Sequence, residues 1–257
     1  MRKERFVENP HLPSSQVSAV IMANLVPQAT KELQSRGIRI ITAPVYKALP
    51  LPINQHADLQ CLHFRGKHWL VARSDTGLDR ILEDEGAKVL ITEQKLGNTY
   101  PEDIRLNALL INKQLYGKIS ELDPALQKAS DRVGIHKIMI QQGYAKCSTA
   151  VVADKSIITA DAGIAEAAKE QGLEVLKIQP GNIELSGYDY GFIGGCCGFI
   201  SESILAFTGK LSTHPDGFAI RKFIELHKKQ VLELTDDPLI DIGGILPLKE
   251  VGESTKY

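Results

Sequence analysis

A chain of 257 residues with 43% hydrophobic and 24% charged side chains has the composition of an ordinary globular protein of one large or two small domains. Its 30 basic and 31 acidic residues leave a formal charge of −1, which argues against a nucleic-acid binder or a polybasic membrane-surface protein. No apolar run approaches the ~18 residues of a spanning helix, and MRKERF leads straight into ENPHLPSS with no apolar signal core. Four cysteines, two of them adjacent, make no disulfide framework, so the expectation is a cytoplasmic protein.

Taken in chain order, residues 1–16 read as an N-terminal lead. A strand at 17–22 and a helix at 26–34 follow, and QSRGIRIIT then places a Gly just past the helix and a strand after it. The same helix–Gly–strand pattern recurs in EDEGAKVLIT, DRVGIHKIMI and KEQGLEVLKI, and without the Gly in HKKQVLELT. Between these stand hairpins. Strand 59–64 turns at Arg65-Gly66 into 68–72, 106–111 turns at Asn112-Lys113 into 115–116, 147–152 turns at Asp154-Lys155 into 156–159, and 195–200 turns at Ser201-Glu202 into 203–207. Amphipathic helices follow at 77–85, 121–132, 162–171 and 217–229.

The chain closes with an inner strand at 240–248 that lacks a hairpin partner, and it opens with an outer strand that lacks an inner one. Pairing the two gives five strand–strand–helix–strand units in a ring closed by the chain's own ends, which also protects a sheet edge. Two ordinary α/β domains would give a similar alternation, but the leftover halves match so economically that the expectation is one domain over 17–257.

Side chains alternate faces along a strand. One face of the inner strands reads Leu59, Cys61, His63; Leu106, Ala108, Leu110; Cys147, Thr149, Val151; Gly195, Cys197, Phe199; Ile242, Gly244, Leu246, and is expected under the helices. The other reads Asp58, Gln60; Arg105, Asn107; Lys146, Ser148; Gly194, Cys196; Asp241, Gly243. Five such faces directed inward predict a polar channel with Asp58 and Asp241 opposite Arg105 and Lys146.

Five ββαβ units closed by the termini resemble the penteins, the guanidino-group-modifying α/β-propellers. That superfamily includes arginine deiminases, dimethylarginine hydrolases, amidinotransferases and a non-catalytic ribosome-binding initiation factor. The resemblance spans nearly the whole chain as a repeat pattern, shares no long motif, and implies a divergent branch. It implies a guanidinium-binding Asp in the first inner strand, where Asp58 stands in QHADLQCLHF. It implies a nucleophilic Cys four residues before a Pro in the last inner strand, where DIGGILPL has Gly243. It implies a His in the fourth inner strand, where FIGGCCGF has none, and a carboxylate in the third, where YAKCS carries Lys146.

Among single residues, Cys196 falls on the predicted channel face between Lys146 and Asp241, where an ammonium would favour the thiolate; filling a tight Gly-rich strand is the alternative. His56 stands two residues before Asp58 and is either an acid/base oriented by that carboxylate or, the favoured reading, a solvated residue at a loop end. His214 in STHPDGF belongs first to a turn and helix start, with a site role as the alternative. The loops 42–57, 92–103 and 179–190 are expected rims, with Tyr100, Tyr188 and Tyr190 able to cover a small ligand.

No metal or cofactor is expected, because the histidines lack ligand spacing and the glycines of GFIGGCCGF lack the dinucleotide fingerprint. Two functions remain open. The first is a hydrolase or transferase acting on a small guanidino, amidino or related nitrogenous compound. Cys196 would be its nucleophile and His56 or His214 would move protons. Asp58 and Asp241 would hold the cation, Arg105 or Lys146 a carboxylate tail, and Gln60, Asn107 and Ser148 would line the channel. The second is a non-catalytic binding protein for a small polar molecule or a protein partner, on the same scaffold.

Overall fold

The computed structural model describes residues 3–252; residues 1, 2 and 253–257, the extreme ends of the expected lead and domain, lie outside the described residues. The first strands are β1 (Glu4–Phe6) and β2 (Val17–Met22), followed by α1 (Pro27–Ser35) and β3 (Arg39–Thr42). A one-turn helix α2 (Ala57–Gln60) precedes β4 (Cys61–Arg65), β5 (His68–Val71), α3 (Leu78–Asp84) and β6 (Lys88–Ile91). Next come β7 (Leu109–Ile111), β8 (Gln114–Gly117), α4 (Pro124–Arg132) and β9 (His136–Met139). The same order repeats as β10 (Thr149–Ala153), β11 (Ser156–Thr159), α5 (Ala162–Glu170) and β12 (Glu174–Lys177). It repeats again as β13 (Cys197–Phe199), β14 (Ile204–Phe207), α6 (Gly217–Leu226) and β15 (Gln230–Glu233), and β16 (Leu246–Val251) ends the series.

These strands form five small sheets rather than one barrel. In four of them an antiparallel hairpin is joined through its helix to a third, parallel strand: β4-β5-β6, β7-β8-β9, β10-β11-β12 and β13-β14-β15. In the remaining sheet, ordered β1-β16-β2-β3, the last strand of the chain pairs antiparallel with β2. Strand β1 lies in the stretch read from sequence as a lead, and pairs antiparallel with the other edge of β16.

The five helices longer than one turn end in the same way. The amide five residues on reaches back to the last turn, from Ile38 to Leu33, Ala87 to Leu82, Ile135 to Ser130, Leu173 to Ala168 and Lys229 to Ile224. This 6→1 bond needs a left-handed residue before it, supplied by Gly37, Gly86, Gly134 and Gly172, and by Lys228 in the unit without a Gly. At the helix starts, the Asp123 carboxylate accepts the Ala125 N–H and the Asp161 carboxylate accepts the Ile164 N–H.

Apolar side chains fuse neighbouring sheets. Trp69, Val71, Leu78 and Leu82 pack with Ile21, Leu246 and Leu248 from the adjoining sheet, while Phe199, Phe207, Ile220 and Ile224 join Val152 and Ile158. A fully buried side chain of this size contributes roughly 1.5–3 kcal/mol, so these seams bind one unit to the next. No helix among the described residues is long and apolar enough to cross a membrane.

The inner strands start later than their apolar pattern predicts. Before β4, β10 and β13 the backbone makes local bonds instead of ladder bonds: Leu59 N to His56 O, Ser148 N to Tyr144 O, Thr149 N to Lys146 O and Gly195 N to Phe192 O. A helical turn advances about 100° per residue, so the two-residue alternation used to assign faces fails just where the polar residues stand.

Candidate functional site

These helical turns meet at a buried cluster. The Asp58 amide donates to Gly243 O at 3.2 Å, which joins α2 to the segment before β16. Its carboxylate Oδ2 accepts the Cys147 thiol at 3.0 Å and lies 3.7 Å from Lys146 Nζ. Lys146 also donates to Gly194 O at 2.9 Å. Asn107 holds the arrangement together: its Oδ1 accepts the Lys146 and Cys147 amides, and its Nδ2 donates to Asp58 O and meets Cys147 Sγ at 3.0 Å. Asp241 accepts the Phe192 amide on Oδ2 and the Gly243 amide on Oδ1, each at 2.9 Å, and Oδ1 is 3.7 Å from His56 Nδ1.

Close approach explains two of the glycines. A side chain at Gly195 would run into the Asp241 carboxylate, and one at Gly243, where φ is +76°, would run into His56. The place at which the pentein resemblance implies a nucleophile is thus closed by the backbone and side chain of His56.

Above the cluster lies a cavity of about 230 Å³. His56, Cys147 and Asp241 reach it, and Tyr144, Tyr188, Tyr190 and Phe192 supply aromatic wall with Ile53, Leu59, Leu185 and Asp189. Tyr144 lies 5.9 Å from Phe192 between ring centroids, Phe192 is met edge-on by Tyr190, and the Tyr144 hydroxyl donates to Asp103. The loops expected as rims supply Ile53, His56, Tyr188 and Tyr190, whereas Tyr100 stands behind the wall against Tyr144. On the far side of Lys146, His11 lines two small cavities of about 20 Å³ each, room for about one water apiece.

Burial sets the protonation states. It pulls His56 down to about 4, against the opposing pull of Asp58, so the imidazole is neutral at neutral pH. It pushes Asp241 up to about 6, against the two amides and Lys146 that favour the anion. Burial first, then Asp58 and Asp241, hold the Cys147 thiol well above its ordinary value.

Of the residues expected from sequence, Asp58, Asn107, Lys146, Asp241 and His56 come together here. His56 is buried rather than solvated at a loop end, because it caps α2 beneath the rim. Others lie elsewhere. Cys196 does not line the cavity: its thiol donates to Ile193 O within a local turn, amid an apolar cluster, and burial pushes its pKa up rather than down. Arg105 is partly exposed and donates to Lys95 O, because the turn at 102–107 directs Asn107 inward in its place. Gln60 pins the rim through Pro44 O and Asn54 O. Ser148 borders a neighbouring cavity of about 210 Å³. His214 accepts the Asp216 amide at the turn into α6.

The residues missed were Cys147, assigned to the covered face, and the walls Tyr144 and Phe192. A lysine and a cysteine side by side in YAKCS signal two neighbours that share one site only if the segment is read as a helical turn. Among the described residues no group of three or more His, Cys, Asp or Glu side chains is placed to hold a metal ion.

Comparison with solved structures shows the pentein fold in a divergent form. The amidinotransferase SxtG of Microseira wollei, from a saxitoxin biosynthetic pathway, superposes with a TM-score of 0.57 at 10% identity, covering 97% of this chain and 99% of that one. Inosamine-phosphate amidinotransferase StrB1 of Streptomyces griseus gives 0.57 at 11% identity over 98% and 99%. Agmatine deiminase of C. jejuni gives 0.53 at 10% identity over 91% and 90%. No curated protein matches the sequence. By sequence, the chain belongs to the family of unknown function DUF6873, whose model matches residues 20–246.

Proposed function

We propose that this DUF6873 member is a pentein-type α/β-propeller whose five units form one domain and surround the Asp58–Lys146–Asp241 cluster in five-fold pseudosymmetry. In this reading it binds a small guanidino- or amidino-bearing cation in the aromatic-walled cavity, without the Cys nucleophile of the enzymes it resembles. The observation that carries the reading is Asp241. Its buried carboxylate reaches the cavity and forms no ion pair with a lysine or arginine among the described residues. The cluster counts two carboxylates against one ammonium, with His56 neutral, so one monocation balances it. Aromatic faces add cation–π attraction for a planar cation. The position of Gly243, filled by His56, favours binding over the family's chemistry. Four free cysteines fit a reducing, cytoplasmic compartment.

An enzymatic reading rests on one observation, the Cys147 thiol in the cavity wall, which donates to the Asp58 carboxylate at 3.0 Å. Thermal-shift titration with agmatine, arginine and related amidines, alongside ammonia and urea assays, separates the two. Binding predicts a concentration-dependent rise in Tm without product, lost in Asp241→Asn. Ammonia or urea release that disappears in Cys147→Ser establishes the enzyme instead, and the absence of both shift and product with every amidine refutes both.

A further inference from the structure

A second concavity, of about 720 Å³, exceeds the cation cavity of about 230 Å³ and shares none of its lining. It is built at the hairpin tips, between the sheets β4-β5-β6 and β7-β8-β9, with Asn9, Pro10 and Leu12 of the N-terminal segment as one wall. Its interior is apolar, with Trp69, Leu70, Leu110, Ile111 and Ile135 among the lining. Two further members, Leu90 and Val133, are left 42% and 62% exposed, so the concavity opens to solvent beside apolar side chains.

The charged lining is mostly basic: Arg65, paired to Glu8 at 2.7 Å, is joined by three further cations. Lys88, Lys113 and Arg132 reach the groove and form no ion pair among the described residues, while Asp154 is the carboxylate among the lining. The three cations come from three different elements. Lys88 begins β6, in register with His68 across the sheet. Lys113 stands in a tight turn where it and Asn112 both have positive φ, which launches its side chain from a rigid tip. Arg132 is in the last turn of α4. Unpaired cations around an apolar floor attract an anionic head attached to a hydrocarbon, and a bounded concavity of this volume suits one small molecule.

We infer that this groove is a second binding site, for a long-chain carboxylate, separate from the cation cavity. The chain's single tryptophan, Trp69, is buried in the groove's floor and stacks on His63 with ring centroids 4.4 Å apart, so its fluorescence reads any repacking of that floor while calorimetry reads binding itself. The full-length protein is titrated with dodecanoate and with dodecyltrimethylammonium, both below their micelle concentrations, by Trp69 fluorescence and by calorimetry. The expected result is saturable one-to-one binding of dodecanoate and much weaker binding of the cationic surfactant. Lys88→Gln and Lys113→Gln should each weaken dodecanoate by about two- to fivefold, and Val133→Asp, at an exposed position that leaves the core intact, should weaken it further. Equal affinity for the two surfactants, indifference to the lysine substitutions, or no fluorescence change and no heat overturns the inference. Binding of an acidic amphipathic peptide in place of dodecanoate overturns it equally.

Discussion

Asp241 and His56 face each other across 3.7 Å, and burial drives both toward neutrality. Asp241 moves from an ordinary 3.8 up to about 6, so the folded protein keeps a proton that the unfolded chain releases; its contribution to stability is present at low pH and lost as pH rises through 6. His56 moves from 6.5 down to about 4, so its contribution is present above 6.5 and lost as pH falls toward 4. The two trends oppose between pH 4 and 6 and leave global stability nearly flat there. Cation binding has no such cancellation, because it requires ionised Asp241. Affinity for agmatine should therefore fall about tenfold per unit below pH 6, and calorimetry at pH 5, 6 and 7 checks it. Asp241→Asn should weaken binding and abolish the slope; a slope that survives the substitution assigns the proton to another group. Asp58, Lys146 and Asp241 were readable as one polar set because their charges stand out against apolar strands. Cys147 was not, because a helical turn lets adjacent residues 146 and 147 both face the cluster.

At the scale of elements, the five helix ends test how much one residue contributes to a repeated motif. Four use Gly in the left-handed conformation, whereas Lys228 adopts φ +58° with a side chain, which costs roughly 1–2 kcal/mol. Glycine loses more backbone entropy on folding and returns about half of that gain. Lys228→Gly should therefore stabilise the protein by about 0.5–1 kcal/mol, read as a higher urea midpoint at unchanged m-value. An unchanged or lower midpoint would mean that the lysine side chain makes a compensating contact. These helix ends were legible because the signal is local: a Gly between an amphipathic run and an Ile/Val-rich one. The helical turns before the inner strands carry no such mark. Their polar residues, Asp58 and Gln60 or Lys146 and Ser148, are spaced two apart as on a strand, and only contacts between units decide where the ladder begins.

For the whole molecule, the decisive feature is that one sheet is assembled from both ends of the chain. Strand β16 lies between β1 and β2, so the N-terminal segment and the last strand hold each other in place. Their clasp is Glu250, 1% exposed, whose carboxylate accepts Arg5 Nε at 3.0 Å, the Ser14 amide at 2.6 Å, the Ser14 hydroxyl at 2.9 Å and the Ser15 amide at 3.0 Å. Hydrogen bonds to a charged group are worth about 1.5–3 kcal/mol each, and removal of the carboxylate leaves two amides without an acceptor. Glu250→Ala should cost on the order of 3 kcal/mol or more. The loss should also be uneven, because β1 is three residues long and pairs with β16 alone among the strands. Native-state hydrogen exchange should show the amides of β1 and of residues 7–17 opening first, β16 next, and the β10-β11-β12 sheet only at global unfolding. Uniform acceleration across all five sheets would show instead that the sheets open as one cooperative unit, with the clasp no weaker than the seams between them.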